Sequence, residues 1–229
     1  MIAGILILPF CAAVTMTFVS LVHEFPWSVG VFSMSPALLF TAGFVAGLVV
    51  FLAMPPPVRV YVIGHELTHV LWAWMFGAKV SGLRLNAGGG SVKVSKTNPL
   101  IVLAPYFFPF YTVLVALVYG LLAIWWPVER FAIVFHFLLG LTFCFHLTMT
   151  ITTLAQKQSD ITSQGRIFSA ATIYFMNVLV LCMVLVGASP RVTTKTFAER
   201  FCRNTSRTFH VINLLNDKLL QGLHRSARR

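Results

Sequence analysis

Six apolar runs, at residues 1–22, 29–54, 58–76, 100–126, 131–155 and 167–187, leave this chain few ways to fold. A helix needs about 20 predominantly apolar residues to cross a bilayer core, and in lipid every backbone N–H and C=O must be satisfied within the segment or by its neighbours. The chain is 58% hydrophobic and 10% charged, with a mean hydropathy of +0.84. A soluble domain is about 45–50% apolar and about 25% charged. The pattern predicts an all-α polytopic, multi-pass integral membrane protein with about six transmembrane helices, embedded in a lipid bilayer. No Lys or Arg precedes the first run, so it reads as a membrane helix rather than a cleaved signal. His23, Glu24, Pro26 and Trp27 break it at a water interface, and Pro55-Pro56-Pro57 stops the second run, because proline lacks a donor and restricts the residue before it.

Residues 78–98 change character. Leu83-Arg84-Leu85 and Ser91-Val92-Lys93-Val94-Ser95 alternate in polarity around Asn86-Ala87-Gly88-Gly89-Gly90, which predicts a short β-hairpin after the third helix. No G-K-[ST] follows the glycines, so they do not form a phosphate loop. In the fourth run, Pro105 and Pro109 loosen the helix and expose carbonyls. The four cysteines, Cys11, Cys144, Cys182 and Cys202, contain no C-x-x-C pair and imply neither a disulfide framework nor a thiolate metal site.

Of the net charge of +11, the segment 190–229 carries +7, nine Lys or Arg against Glu199 and Asp217. Phe209, Ile212, Leu215, Leu219 and Leu223 recur there at helical spacing. The division expected is a transmembrane domain at 1–189 and a basic amphipathic tail at 190–229. The tail suits anionic lipid headgroups at a membrane surface, and no stacking or groove-reading motif points to nucleic acid. Asn204-Thr205-Ser206 fits a glycan acceptor if the tail faces a lumen.

Within the third run stands Gly64-His65-Glu66-Leu67-Thr68-His69. On a helix, positions i and i+4 share a face, so His65 and His69 can address one metal ion, and two imidazoles at this spacing suit Zn²⁺. Glu66 follows the first histidine directly, where a carboxylate can activate a zinc-bound water. Histidines and a glutamate are costly in hydrocarbon and usually mark function; the alternative is a pair of packing histidines. A third ligand is expected from elsewhere, and Asp160 is the only acidic residue between Arg130 and the tail. It either completes the metal site or caps a helix or turn. His136 and His146, on the fifth run, need not share a face; His146 is the other candidate for the third place.

The motif in its apolar helix, followed by a Gly-rich hairpin, resembles the site-2 protease family of intramembrane zinc metallopeptidases. Ala104-Pro105-Tyr106 and Gln158-Ser159-Asp160 resemble its smaller, poorly characterised branch, and the resemblance covers about residues 58–187. It implies His65, His69 and Asp160 as metal ligands and Glu66 as the catalytic acid and base. It implies hydrolysis of a peptide bond in or near the transmembrane segment of a membrane-protein substrate. The chain departs from better-known members in having Ser159 and Ile161 around the aspartate, with no Asp-Gly pair. Two other functions fit the same residues: a membrane metal transporter, or a catalytically inactive family member acting as a binding protein.

Overall fold

The computed structural model describes residues 2–25, 35–86, 89–156, 158–188 and 192–226. The chain divides into two compact units, one made of Met1–Pro26 with Ile167–Arg229 and one of Trp27–Arg166. The sequence readings at Pro26, Trp27 and residues 29–34, and at the Ala87-Gly88 turn, lie outside the described residues.

The second unit holds helices α2 (Pro36–Ala53) and α3 (Val58–Met75), strands β1 (Val80–Asn86) and β2 (Gly89–Val94), and helices α4 (Pro99–Phe107) and α5 (Phe110–Leu122). A 3-10 turn, Val128–Phe131, then leads into α6 (Ala132–Leu154), followed by the short α7 (Ser159–Gln164). The boundaries follow local chemistry. Ser35 caps α2 by accepting from the Leu38 N–H at 3.2 Å, and Pro36 takes the first helical position. Met54, forced extended ahead of Pro55, ends it. Gly77, at φ +66°, turns the chain out of α3 toward the strands. The expected hairpin is present: β1 and β2 pair antiparallel, with Leu83 opposite Val92 and Leu85 opposite Gly90.

The most extensive helix pairing joins α2 and α6, and it depends on two glycines. A Cβ at Gly43 would lie 1.9 Å from the Phe137 carbonyl oxygen, and one at Gly140 would lie 1.9 Å from that of Phe40. Close backbone approach through small residues is how apolar helices gain packing where lipid offers no hydrophobic driving force. The two helices run in the same direction, because Gly43 meets Phe137 and Leu141 while Gly47 meets Leu141 and Cys144. Helix α5 runs against α6, with Thr142 donating to Thr112 at 3.1 Å and Tyr119 stacked on Phe135 at 3.9 Å.

Among the described residues, four helices are long and apolar enough to cross a membrane: α1 (Ile2–Glu24), α2, α6 with its preceding turn, and α8 (Arg166–Ala188). The pair α4–α5, bent by 77°, makes a fifth if counted as one broken span. The expected six are not reached. Helix α3 is not among them, since Arg59, His65, Glu66 and His69 lower its hydropathy. Direction gives a second reason. For α2 and α6 to cross a bilayer the same way, the chain between them must return an odd number of times. If the broken α4–α5 pair makes one return, a separate full crossing by α3 would make the number even. On that count the two spans expected at 58–76 and 100–126 reduce to a single net crossing.

The first unit holds α1 (Ile2–Glu24), α8 (Arg166–Ala188, entering it at Ile167) and α9 (Thr194–Ser226). Helix α9 runs antiparallel to α1. Arg200 pairs with Glu24, Asn204 donates to Thr17 Oγ1 at 3.0 Å, and Phe209 sits edge-on to Phe10 at 5.7 Å. The contacts thus group the basic segment with α1. Asn204 is buried at 7% exposure with its amide engaged, so it is no glycan acceptor in this fold. Leu215 and Leu219, farther along α9, are exposed.

Gly43→Ala and Gly140→Ala should each lower the thermal stability of the detergent-purified chain, by at least the ~1–3 kcal/mol typical of overpacking. Gly120→Ala, with nothing within 4 Å of the added methyl, should leave melting unchanged or raise it.

Candidate metal centre

Helix α3 presents His65 and His69 on one face, their ring centroids 4.9 Å apart. Its first half is seated on α5 through Gly64, where a Cβ would lie 2.7 Å from the Tyr111 ring, and through the Tyr111 hydroxyl, which donates to the Val60 carbonyl at 2.6 Å. Helix α4 also packs against α3. Asn98 caps it by accepting from the Ile101 N–H at 2.8 Å, and Ile101 is buried against Ala73 and Ala78.

Asp160 arrives from α7 and faces both imidazoles. Its Oδ2 lies 3.5 Å from His65 Nε2 and 3.6 Å from His69 Nε2. Gln158 occupies the N-cap position of α7, without a side-chain bond, so Asp160 does not serve as the cap. Among the described residues, His65, His69 and Asp160 form a group whose candidate ligand atoms all lie within 4.8 Å of one another. The two His–Asp gaps are longer than a good hydrogen bond. They match the edge of a tetrahedron of zinc ligands at ~2.1 Å from its centre, which is about 3.4 Å. The donor set therefore fits a metal ion in both chemistry and spacing.

The outer nitrogens are occupied, which aims the inner ones. His69 Nδ1 lies 2.9 Å from the Ile101 carbonyl oxygen, and His65 Nδ1 lies 3.0 Å from the Tyr61 hydroxyl. A ring whose Nδ1 is held outside keeps Nε2 for the metal, the usual arrangement in histidine metal sites. The fully buried Tyr106 donates to Asp160 Oδ2 at 3.1 Å and sets its ring edge-on to His65. Burial pushes the Asp160 carboxyl up, but the two imidazoles facing it outweigh that and hold it well below the usual carboxylate range. It is therefore ionised at neutral pH, as a metal ligand must be.

The group lines a cavity of about 530 Å³. Its walls include Pro56, just past α2, Thr152 and Thr153 in the last turn of α6, and Gln156 beyond it. The centre thus lies toward the C-terminal ends of α2 and α6. Glu66 is 6% exposed and sits beneath the hairpin: a Cβ on Gly90 would fall 2.4 Å from Glu66 Cγ. Only a glycine lets β2 lie this close to the carboxylate-bearing side chain. His146 lines a separate cavity of about 20 Å³ behind Gly64 and Thr68 and stands outside the metal group. His136 Nδ1 is engaged by the Ala132 carbonyl at 2.7 Å.

The sequence reading missed Tyr61, Tyr106, the Ile101 carbonyl and Gly90. Tyr61 had a signal, since it lies four residues before His65 on the same face. Tyr106 stood out only within the Ala104-Pro105-Tyr106 resemblance, and the Ile101 carbonyl and Gly90 only as parts of a proline-broken run and a Gly-rich turn.

Loaded with Zn²⁺, the purified chain should bind metal through this group. Asp160→Asn should lose most of that affinity and His146→Ala should keep it, as read by a competition titration with a chromogenic chelator.

Comparison with protein-family models, with curated proteins and with solved structures found no match.

Proposed function

We propose that this chain is a multi-pass zinc metalloendopeptidase that hydrolyses a peptide bond in or near the membrane-spanning segment of a membrane-protein substrate. The observation that carries the reading is the group of His65, His69 and Asp160 with Glu66 beside it, in a cavity walled by the ends of apolar helices. His65, His69 and Asp160 would hold the ion. Zinc, when bound there, would polarise the scissile carbonyl and make water a better nucleophile at neutral pH.

The remaining work falls to the chain's own side chains. Glu66 takes a proton from the attacking water as its oxygen adds to the carbonyl carbon. It then delivers that proton to the amine nitrogen as the C–N bond breaks, giving one carboxylic acid and one amine. Helical substrate cannot offer its peptide bond to such a site, because the carbonyl is hydrogen-bonded and shielded by side chains. Strand β2, whose Gly89, Gly90 and Ser91 line the cavity, has one edge paired to β1 and an edge left to take an unwound segment in extended form. Gly90 supports this assignment, since it brings that strand onto Glu66 itself. The exposed basic side of α9 is where the same reading puts anionic lipid headgroups.

The test is the chain reconstituted in liposomes with a single-span model substrate, with product termini read by mass spectrometry. Glu66→Gln should retain zinc and lose cleavage by roughly 10²–10⁴-fold, the usual worth of a general base. Unchanged cleavage would remove Glu66 from the mechanism. Zinc uptake into the liposomes without cleavage would favour a transporter. Gly90→Ala should leave zinc affinity intact and lower turnover, because the added methyl displaces Glu66 and none of the ligands.

A further inference from the structure

His69 can offer Nε2 to a metal only if Nδ1 carries the proton. The Ile101 carbonyl, 2.9 Å from Nδ1, can only accept, so this contact fixes the tautomer. In an uninterrupted α-helix that carbonyl is already used, because the oxygen of residue i accepts from the N–H of residue i+4. For Ile101 the residue at i+4 is Pro105, which lies inside α4. Proline has no N–H, and its ring crowds the carbonyl four residues back. With no donor at 105, both lone pairs of that carbonyl are left to the imidazole across the groove.

Two further contacts fix the Ile101 peptide. Its own N–H is held by Asn98 at 2.8 Å, and its side chain is buried at 2% exposure. The carbonyl therefore has little freedom to swing toward another partner. Beyond the gap, α4 resumes ordinary pairing, with the Phe108 N–H donating to the Ala104 carbonyl at 2.8 Å.

We infer that Pro105 is a positioning residue for the metal centre: by withholding a backbone donor it reserves the Ile101 carbonyl for His69 Nδ1–H and so presents Nε2 toward Asp160. The inference rests on the metal reading above and deepens it. It gives the proline-broken helix a chemical role in place of a tolerated kink.

The experiment uses the full chain in nanodiscs, with Zn²⁺ as the probe and ¹⁵N NMR of the histidine side chains as a second readout. In the metal-free wild type, at a pH high enough to leave the imidazole neutral, His69 should be the Nδ1–H tautomer, and finding Nε2–H there would overturn the inference with no variant required. Pro105→Ala restores a competing N–H. It should weaken Zn²⁺ binding by roughly 10–100-fold, the usual cost of losing a partner behind a ligand, and shift His69 away from the Nδ1–H form. The α-hydroxy analogue of alanine at 105, inserted by nonsense suppression, lacks both the ring and the N–H. It should restore wild-type affinity and tautomer. Equal losses for alanine and its hydroxy analogue, or wild-type affinity for Pro105→Ala, would overturn it. Absence of Zn²⁺ binding by the wild type would instead sink the metal reading, while the tautomer still reports on Pro105.

Discussion

Asp160 meeting the two histidines of α3 is the contact around which the second unit is arranged. A carboxylate and two imidazoles cannot be left partly dehydrated without partners, and here each is given one on its far side. Tyr106 takes the carboxylate, Tyr61 takes His65 and the Ile101 carbonyl takes His69. Every one of these partners must stay in place for the inner atoms to keep a spacing that suits a metal. Helix α4 supplies two of the three, which makes a nine-residue helix the organiser of the centre.

The same helix shows how a local defect in secondary structure becomes a chemical resource. A proline inside a helix costs a hydrogen bond, and in lipid an orphaned carbonyl is expensive. The cost disappears when a side chain supplies the missing donor. His69 does so, and the bond that stabilises the break also selects the histidine tautomer.

Membrane placement follows from packing as much as from hydropathy. The close glycine contact of α2 and α6 fixes their shared direction, and α5 returns against them. With α4–α5 counted as one broken span, α3 is not a further independent crossing, and the polar motif it carries does not have to be buried at mid-bilayer. The cavity instead opens where α2 and α6 end, close to residues such as Gln156 that follow the last apolar turn. A hydrolytic reading benefits from that position, because water must reach the site.

What the sequence determined by itself is what short-range periodicity can carry. The i, i+4 spacing put His65 and His69 on one face, alternation marked both strands of the hairpin, and the prolines and caps set helix ends to within a few residues. Apolar run length identified helices suited to a membrane, six by sequence where four or five of the described helices qualify, and composition carries no information on their direction. Tertiary structure decided the rest: that Asp160 and not His146 faces the histidines, that Gly90 lies on Glu66, that Asn204 is packed against α1, and that Pro105 frees a carbonyl opposite His69. Each of these depends on where distant segments meet in space, and a contact between residues far apart in the chain leaves no period in the sequence from which to read it.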